Sequence, residues 1–283
     1  MFSYDHLVKE IKILNRLGVE TGVIGESLLG RAIPYVFVGK KNGKYMVVQG
    51  SIHAREHLTA LLTLYLCKYL VKNNLPINGG IFFVPMTNPD GVCLCQQGAE
   101  SVEEPYRSRL LQINGNRDFS LWKANANGVD LNNNFDAKWG ESRQSADRPS
   151  SQGYPGEKPL SEPESRRLAE FTSLVNPCVT LSYHLKGEEV YWDFGQNGGE
   201  RARDKRLADA ICAYTGYSLA DGTGSVGGYK DWCVQKFGIP SFTVEVGSDE
   251  FAHPFPYDSF GTIFKQNVDL PRRLLNSVVR DLQ

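Results

Sequence analysis

Apolar residues along this chain follow two rhythms, and the sharpest change from one to the other falls between Tyr45 and Asn73. Tyr45 to Ile52 is a short run rich in apolar and β-branched residues, which predicts a buried strand. Leu58 to Val71 is apolar at most positions and free of Gly and Pro, which predicts a buried helix. Between them stands His53-Ala-Arg-Glu56-His57, with two imidazoles, a carboxylate and a guanidinium in five residues. Open α/β sheets bind their ligands at the carboxyl ends of strands, so a polar cluster there marks a candidate site.

The same reading extends over the rest of the chain. Leu7, Ile11, Leu14 and Leu17 recur near helical spacing and predict an amphipathic helix from Tyr4 to Leu17. Val23 to Gly30 leads through Arg31 into a strand over Ile33 to Val38, and Lys40 to Lys44 reads as a hairpin turn. A strand over Ile81 to Met86 ends in the turn signal Asn88-Pro-Asp-Gly91. From Gln96 to Pro163, Gly, Asn, Ser, Pro and charges dominate, with isolated aromatics. A long irregular segment of this kind builds or covers a site, or is disordered; the aromatics argue for order. Ser161-Glu-Pro-Glu164 has the form of a capping box ahead of a helix through Arg167 to Leu174. Val179 to His184 alternates as a strand and delivers a histidine at its end. Helices follow over Arg203 to Tyr214 and within Gly228 to Phe237, on either side of a glycine-rich loop at Gly222 to Gly228. Ile239 to Val246 is the last predicted strand and carries Glu245 among apolar neighbours; Asp258 to Leu282 contains a C-terminal helix. No repeat or linker interrupts the pattern, so residues 1–283 read as one domain.

Composition narrows the picture modestly. A hydrophobic share of 41% and a charged share of 22% belong to a globular protein, and a net charge of −1 gives no electrostatic case for nucleic acid or an anionic membrane. The first seventeen residues carry charges throughout, unlike a signal peptide, and the apolar stretch from Leu58 to Leu70 is broken by Lys68 and too short to span a bilayer. The six cysteines lack zinc-ribbon spacing, and Cys93-Leu-Cys95 is one residue short of a C-x-x-C pair, so free thiols and a cytoplasmic location are expected.

The chemistry concentrates at strand ends: His53 with Glu56, Asp90, His184 and Glu245. His53 and Glu56 offer a nitrogen and an oxygen with two residues between them, and His184 is the natural third ligand. One zinc ion accepts that mixture and, in a catalytic site, keeps a fourth position open. Two other readings stand beside it: a polar turn with satisfied histidines, and the helical H-x-x-E-H pattern with His53 and His57 as ligands. The strand-like Val47 to Ile52, with Gly50-Ser51, leaves no helix ahead of His53 for that second reading. Glu245 is a carboxylate that an apolar strand tolerates only with a partner or a task. Either it pairs with a core arginine, or it takes a proton from a zinc-activated water and passes it on.

His53-Ala-Arg-Glu56, Gly128-Val-Asp-Leu-Asn132, Ser182-Tyr-His184 and Phe242-Thr-Val-Glu245 occur in the order seen in carboxypeptidase A-like zinc peptidases, and Ser27-Leu-Leu-Gly-Arg31 is a weaker match. The resemblance covers nearly the whole chain. It implies a single α/β domain with a mixed, twisted central sheet and helices on both faces. It also implies zinc on His53, Glu56 and His184, with Glu245 as general base and acid. By the same similarity Asp130 orients a zinc-binding imidazole, Lys123 stabilises the tetrahedral oxyanion, and Arg55 reaches a substrate subsite. Taken alone, these three would pass for a turn aspartate, a loop lysine and a surface arginine.

Two departures bear on specificity. Where ordinary carboxypeptidases grip a terminal carboxylate with an Asn-Arg pair, this chain has Asn132-Asn133, which cannot make a charged bidentate grip. The family's mobile tyrosine has no counterpart in Asp221 to Gly228. Trp122-Lys-Ala-Asn125, Gly128 to Phe135, Ser182 to Gly187 and Val190-Tyr-Trp192 look most like the bacterial γ-D-glutamyl-meso-diaminopimelate peptidases. That likeness implies a cell-wall peptide as substrate, with Lys186, Glu188 and Glu189 as selectivity residues or as a solvated loop. A broader metallocarboxypeptidase and a non-catalytic peptidoglycan-peptide binding protein are the alternatives. Oligomeric state is not readable.

Overall fold

Tyr45 to Gly50 is a central strand of an eight-stranded sheet in the computed structural model, which describes residues 1–142, 145–220 and 226–282. In chain order the strands are β1 (Glu20–Glu26), β2 (Ala32–Gly39), β3 (Tyr45–Gly50), β4 (Gly80–Val84), β5 (Val179–Leu185), β6 (Glu189–Tyr191), β7 (Ser218–Leu219) and β8 (Ser241–Val246). Across the sheet they run β1-β2-β4-β3-β5-β8-β6-β7. The inner strands β4, β3, β5 and β8 are parallel, while β1 and β2 on one side and β6 on the other pair antiparallel, which makes the sheet mixed as expected.

The helices are α1 (Tyr4–Arg16), α2 (Leu58–Asn73), α3 (Pro89–Gln97), α4 (Tyr106–Asn114), α5 (Pro163–Val175), α6 (Gly198–Thr215), α7 (Tyr229–Phe237), α8 (Phe260–Asn267) and α9 (Leu270–Asp281). They cover both faces. On one, Val48, Leu181, Tyr183, Val190 and Val244 pack with Leu62 and Leu66 of α2, Leu207 and Ile211 of α6, and Leu274 and Val278 of α9. Each such buried aliphatic side chain contributes about 1.5–3 kcal/mol, so this layer anchors the fold. On the other face Leu168 and Ala169 of α5 join Phe135 and Tyr229, Trp232 and Cys233 of α7.

The alternation of β5 and β8 decides where the chemistry goes. Leu181, Tyr183, Phe242 and Val244 face the first layer, so Ser182, His184, Thr243 and Glu245 face the second. Ser182 lies opposite Thr243 and His184 opposite Glu245.

Four local expectations are corrected. Lys40 to Lys44 is no hairpin turn, because β4 lies between β2 and β3 and pairs with both. Glu20–Glu26 forms a strand although no residue in it is fully buried; it is an edge, where burial leaves no periodic signature. Asn88 is a helix cap rather than a free turn: its Oδ1 accepts the Gly91 N–H at 3.0 Å and Pro89 opens α3. Ser161 does not cap α5; Glu162 is the capping position without a side-chain cap bond, and Ser161 Oγ donates instead to Glu162 Oε1 at 2.8 Å. The segment over residues 96–163 also holds α4 and short 3₁₀ turns, and the C-terminal region is two helices broken at Val268 and Asp269. Residues 221–225, which include most of the stretch lacking the mobile tyrosine, lie outside the described residues.

Candidate active site

Strand β3 ends at Gly50, where nothing larger fits: a Cβ there would stand 2.8 Å from the Thr59 carbonyl oxygen. The chain then turns through His53 into a 3₁₀ turn, Ala54–Glu56, and only afterwards into α2. His53 is thus extended backbone ahead of a tight turn, and the turn brings Glu56 back beside it.

His53 Nδ1 lies 2.8 Å from Glu56 Oε1, His184 Nδ1 lies 3.2 Å from Glu56 Oε2, and the two Nδ1 atoms are 3.1 Å apart. One ligand atom from each residue falls within 4.8 Å of the others, and all three residues are buried. Two imidazole nitrogens and one carboxylate oxygen converging on a point suit zinc; calcium or magnesium would call for an oxygen shell. The Leu185 N–H donates to Glu56 Oε2 at 3.2 Å. Burial opposes the charge on Glu56, but the His53 and His184 imidazoles outweigh it and hold the carboxyl well below its usual range.

His57 takes no part in this cluster. Its Nδ1 is hydrogen-bonded to the Tyr257 hydroxyl at 2.6 Å with the rings stacked, and burial pushes it down to about 4. The helical H-x-x-E-H reading has no support in this arrangement, since α2 begins only at Leu58. Asp90 is also elsewhere: it pairs with Arg31 Nη1 at 2.6 Å and accepts the Leu29 N–H at 2.8 Å.

Glu245 stands opposite His184 on the adjacent strand. It keeps some exposed surface, yet its Oε2 is buried without a partner. Burial pushes its carboxyl up to about 8, against the pull of His184, which gives it the affinity for a proton that a general base needs. No arginine reaches it, so the salt-bridge alternative finds no partner among the described residues.

The wall facing this floor comes from the irregular segment. Asp130 lies 3.2 Å from His53 Nε2 through Oδ1, an ion-pair approach off the line of an N–H hydrogen bond, and its Oδ2 accepts the Gly153 N–H at 3.1 Å. Lys123 Nζ is 3.2 Å from Asp130 Oδ2. Burial disfavours the Lys123 ammonium, but Asp130 and Glu56 outweigh it and keep it charged, while Lys123 and His53 hold Asp130 far below the carboxylate range. Lys123 also grips the turn through its backbone, its carbonyl accepting the Ala54 N–H at 3.0 Å. Arg55 is bound to Gln152 Oε1 at 3.2 Å and the Leu121 carbonyl at 3.4 Å, beside the cluster. Asn132 Oδ1 accepts the Tyr229 N–H at 3.1 Å, while Asn133 is half-buried next to it.

One residue at this site follows no motif. His253 has a buried Nδ1 without a partner, and the charges of Glu56, Arg55, Lys186 and His53 all reach it. Its only sequence signal is a histidine before Pro254 in an aromatic run.

Comparison with known proteins bears on this geometry. A family profile described as zinc carboxypeptidase matches residues 7–266. Gamma-D-glutamyl-L-diamino acid endopeptidase 1 of Lysinibacillus sphaericus is 33% identical over 282 residues, covering 94% of this chain and 70% of its own length. Among solved structures, bovine thrombin-activatable fibrinolysis inhibitor superposes with a TM-score of 0.78 at 19% identity, over 99% of this chain and 97% of that one. The murein-tripeptide amidase of Escherichia coli O157 superposes at 0.58 and 19%, over 91% of each chain. At these identities the two structures speak for the fold alone.

Proposed function

The chain belongs to the zinc carboxypeptidase family and is a zinc metallopeptidase with one metal ion, and from that premise we propose that it hydrolyses a cell-wall-derived peptide between γ-D-glutamate and diaminopimelate. The catalytic domain in this proposal spans residues 1–283. The observation that carries the reading is the likeness, over 94% of this chain, to an enzyme named for the γ-D-glutamyl–diamino acid bond. Asn133 supports it, because a neutral amide forgoes the bidentate carboxylate grip that removal of ordinary C-terminal residues relies on. The unpaired cysteines fit a reducing, cytoplasmic setting.

His53, Glu56 and His184 would hold the zinc, which would supply Lewis-acid polarisation of the scissile carbonyl and lower the pKa of water. Asp130 fixes the His53 ring from behind. Glu245, set one strand over, accepts the proton from the attacking water and delivers it to the leaving amine. The Lys123 ammonium lies beside the carbonyl oxygen as its charge develops. In this reading Arg55, Asn132 and Asn133 contact the substrate.

The test is mass spectrometry of products from L-Ala-γ-D-Glu-diaminopimelate alongside a conventional peptide with a free C-terminus. The γ-D-glutamyl bond should be cut faster, and Asn133→Arg should shift the preference toward the conventional peptide. A wild-type enzyme that trims the conventional peptide faster would replace this reading with a general metallocarboxypeptidase.

A further inference from the structure

Three charged residues follow His184 on the way into β6, and their partners separate them. Lys186 is neutralised by Asp249, its Nζ lying 2.9 Å from Oδ1 and 2.8 Å from the main-chain oxygen. Glu188 Oε1 accepts from Gln266 Nε2 at 3.3 Å. Glu189 has the Tyr191 hydroxyl, 3.2 Å from its Oε2, and forms no ion pair among the described residues.

Glu189 is also placed differently. It lies directly opposite Glu245 on the antiparallel pair β6–β8, and Glu245 lies directly opposite His184 on the parallel pair β8–β5. Side chains opposite one another share a face, about 4.5–5.5 Å apart at Cβ across the antiparallel pair. His184, Glu245 and Glu189 therefore form one row across three strands. The row behind it is Ser182, Thr243 and Tyr191, again in register. Ser182 is 1% exposed and its Oγ has no partner, and Glu245 Oε2 has none either. Two carboxyls facing each other across a sheet destabilise it when both are charged, so one of them holds a proton or a cation comes between them. The Tyr191 hydroxyl feels that field: burial, then Glu189 and Glu245, push it up to about 12.

We propose that Glu189, braced by Tyr191, is a specificity-determining residue that binds the side-chain ammonium of a diamino acid on the leaving side of the cut bond. The inference rests on the function proposed above. In that mechanism the acyl carbon sits at the His184 end of the row, and Glu245 protonates the leaving amine. The next position along the row then meets the side chain that the amine carries. An ammonium there pairs with the Glu189 carboxylate, whereas a neutral side chain of similar size leaves that carboxylate without an ion pair. Lysine and diaminopimelate each carry such a group; norleucine does not.

The experiment compares zinc-loaded wild type with Glu189→Gln in two ways. Calorimetry measures binding of free lysine, diaminopimelate and norleucine, and kinetics measures kcat/KM for γ-D-glutamyl-lysine and γ-D-glutamyl-norleucine peptides. Wild type should favour the diamino member about 10- to 100-fold in both, as expected for one charge-assisted contact, with the kinetic difference in KM. In Glu189→Gln both ratios should fall to within about threefold of one, and Glu189→Asp should restore part of the preference. A Gln variant that keeps the wild-type ratios, or that loses kcat equally on both peptides, overturns the assignment. Binding does not depend on which bond is cut, so the calorimetric ratio decides on Glu189 even if the enzyme proves to prefer ordinary peptides.

Discussion

The floor and the wall of the candidate site are built by different means. The floor is sheet: His184 and Glu245 are fixed by strand register, and His53 and Glu56 by the tight turn after β3. The wall is irregular chain whose order comes from side chains standing in for a backbone ladder. Asn134 alone takes the Glu162 N–H on its Oδ1 at 3.2 Å and donates through Nδ2 to the Pro155 carbonyl at 2.7 Å and Ser161 Oγ at 3.0 Å. Asn125 Nδ2 bridges Glu162 at 2.8 Å and Glu164 at 3.2 Å. A ladder places reacting groups to within fractions of an ångström, while a side-chain network can be rewired locally. The difference gives the metal-binding cluster, Glu245 and Glu189 to the floor, and Lys123, Asp130 and the Asn132–Asn133 pair to the wall.

The largest effect that would break this comparison is on the metal. His184→Ala should lose stoichiometric zinc and all measurable hydrolysis, while His57→Ala should retain both; metal analysis of the purified variants decides. Zinc retained in the first and lost in the second would move the centre onto α2.

Next comes the base. Glu245→Gln should keep zinc and substrate affinity while turnover falls about 10²–10⁴-fold, the range for general acid–base help. Turnover within tenfold of wild type would take Glu245 out of the proton path.

The smallest effect concerns the wall and appears in stability. Burial pushes the Glu164 carboxyl from its ordinary 4.5 up to about 7, with Asp90 adding to the shift. The folded chain therefore holds a proton there that the unfolded chain has already released. That contribution is fully present below the unfolded value and is lost as pH rises through about 7, a decline of about 3 kcal/mol. Glu164→Gln should flatten the pH dependence of unfolding free energy over this window, as read by urea titrations at several pH values. An unchanged slope would show that Glu164 is not the group responsible.

The floor was largely legible in the sequence and the wall was not, for physical reasons. Tyr45 to Ile52 and Val179 to His184 announce strands through apolar runs and period-two alternation, and their polar ends stand out against that background. The chain between Gln96 and Pro163 has no period because its order depends on partners far away in sequence, such as Glu162 and Glu164 for Asn125. Ser161 and Asn88 show a different limit at single residues: each matches a motif that allows more than one role, and the choice rests on one local bond, to the Gly91 N–H for Asn88 and to Glu162 for Ser161. The roles of β2 and β3 failed as a hairpin because the strand that separates them comes thirty residues later in the chain.

The opposition of His184 and Glu245 on neighbouring parallel strands has a further consequence. A slip of one residue between β5 and β8 would send Glu245 to the far side of the sheet, among Val244's present neighbours, and leave a valine facing the water. No intermediate displacement preserves half of the arrangement. A molecule assembled in the wrong register would therefore lack a carboxylate beside His184, so the pairing of these two strands sets the site as well as the sheet.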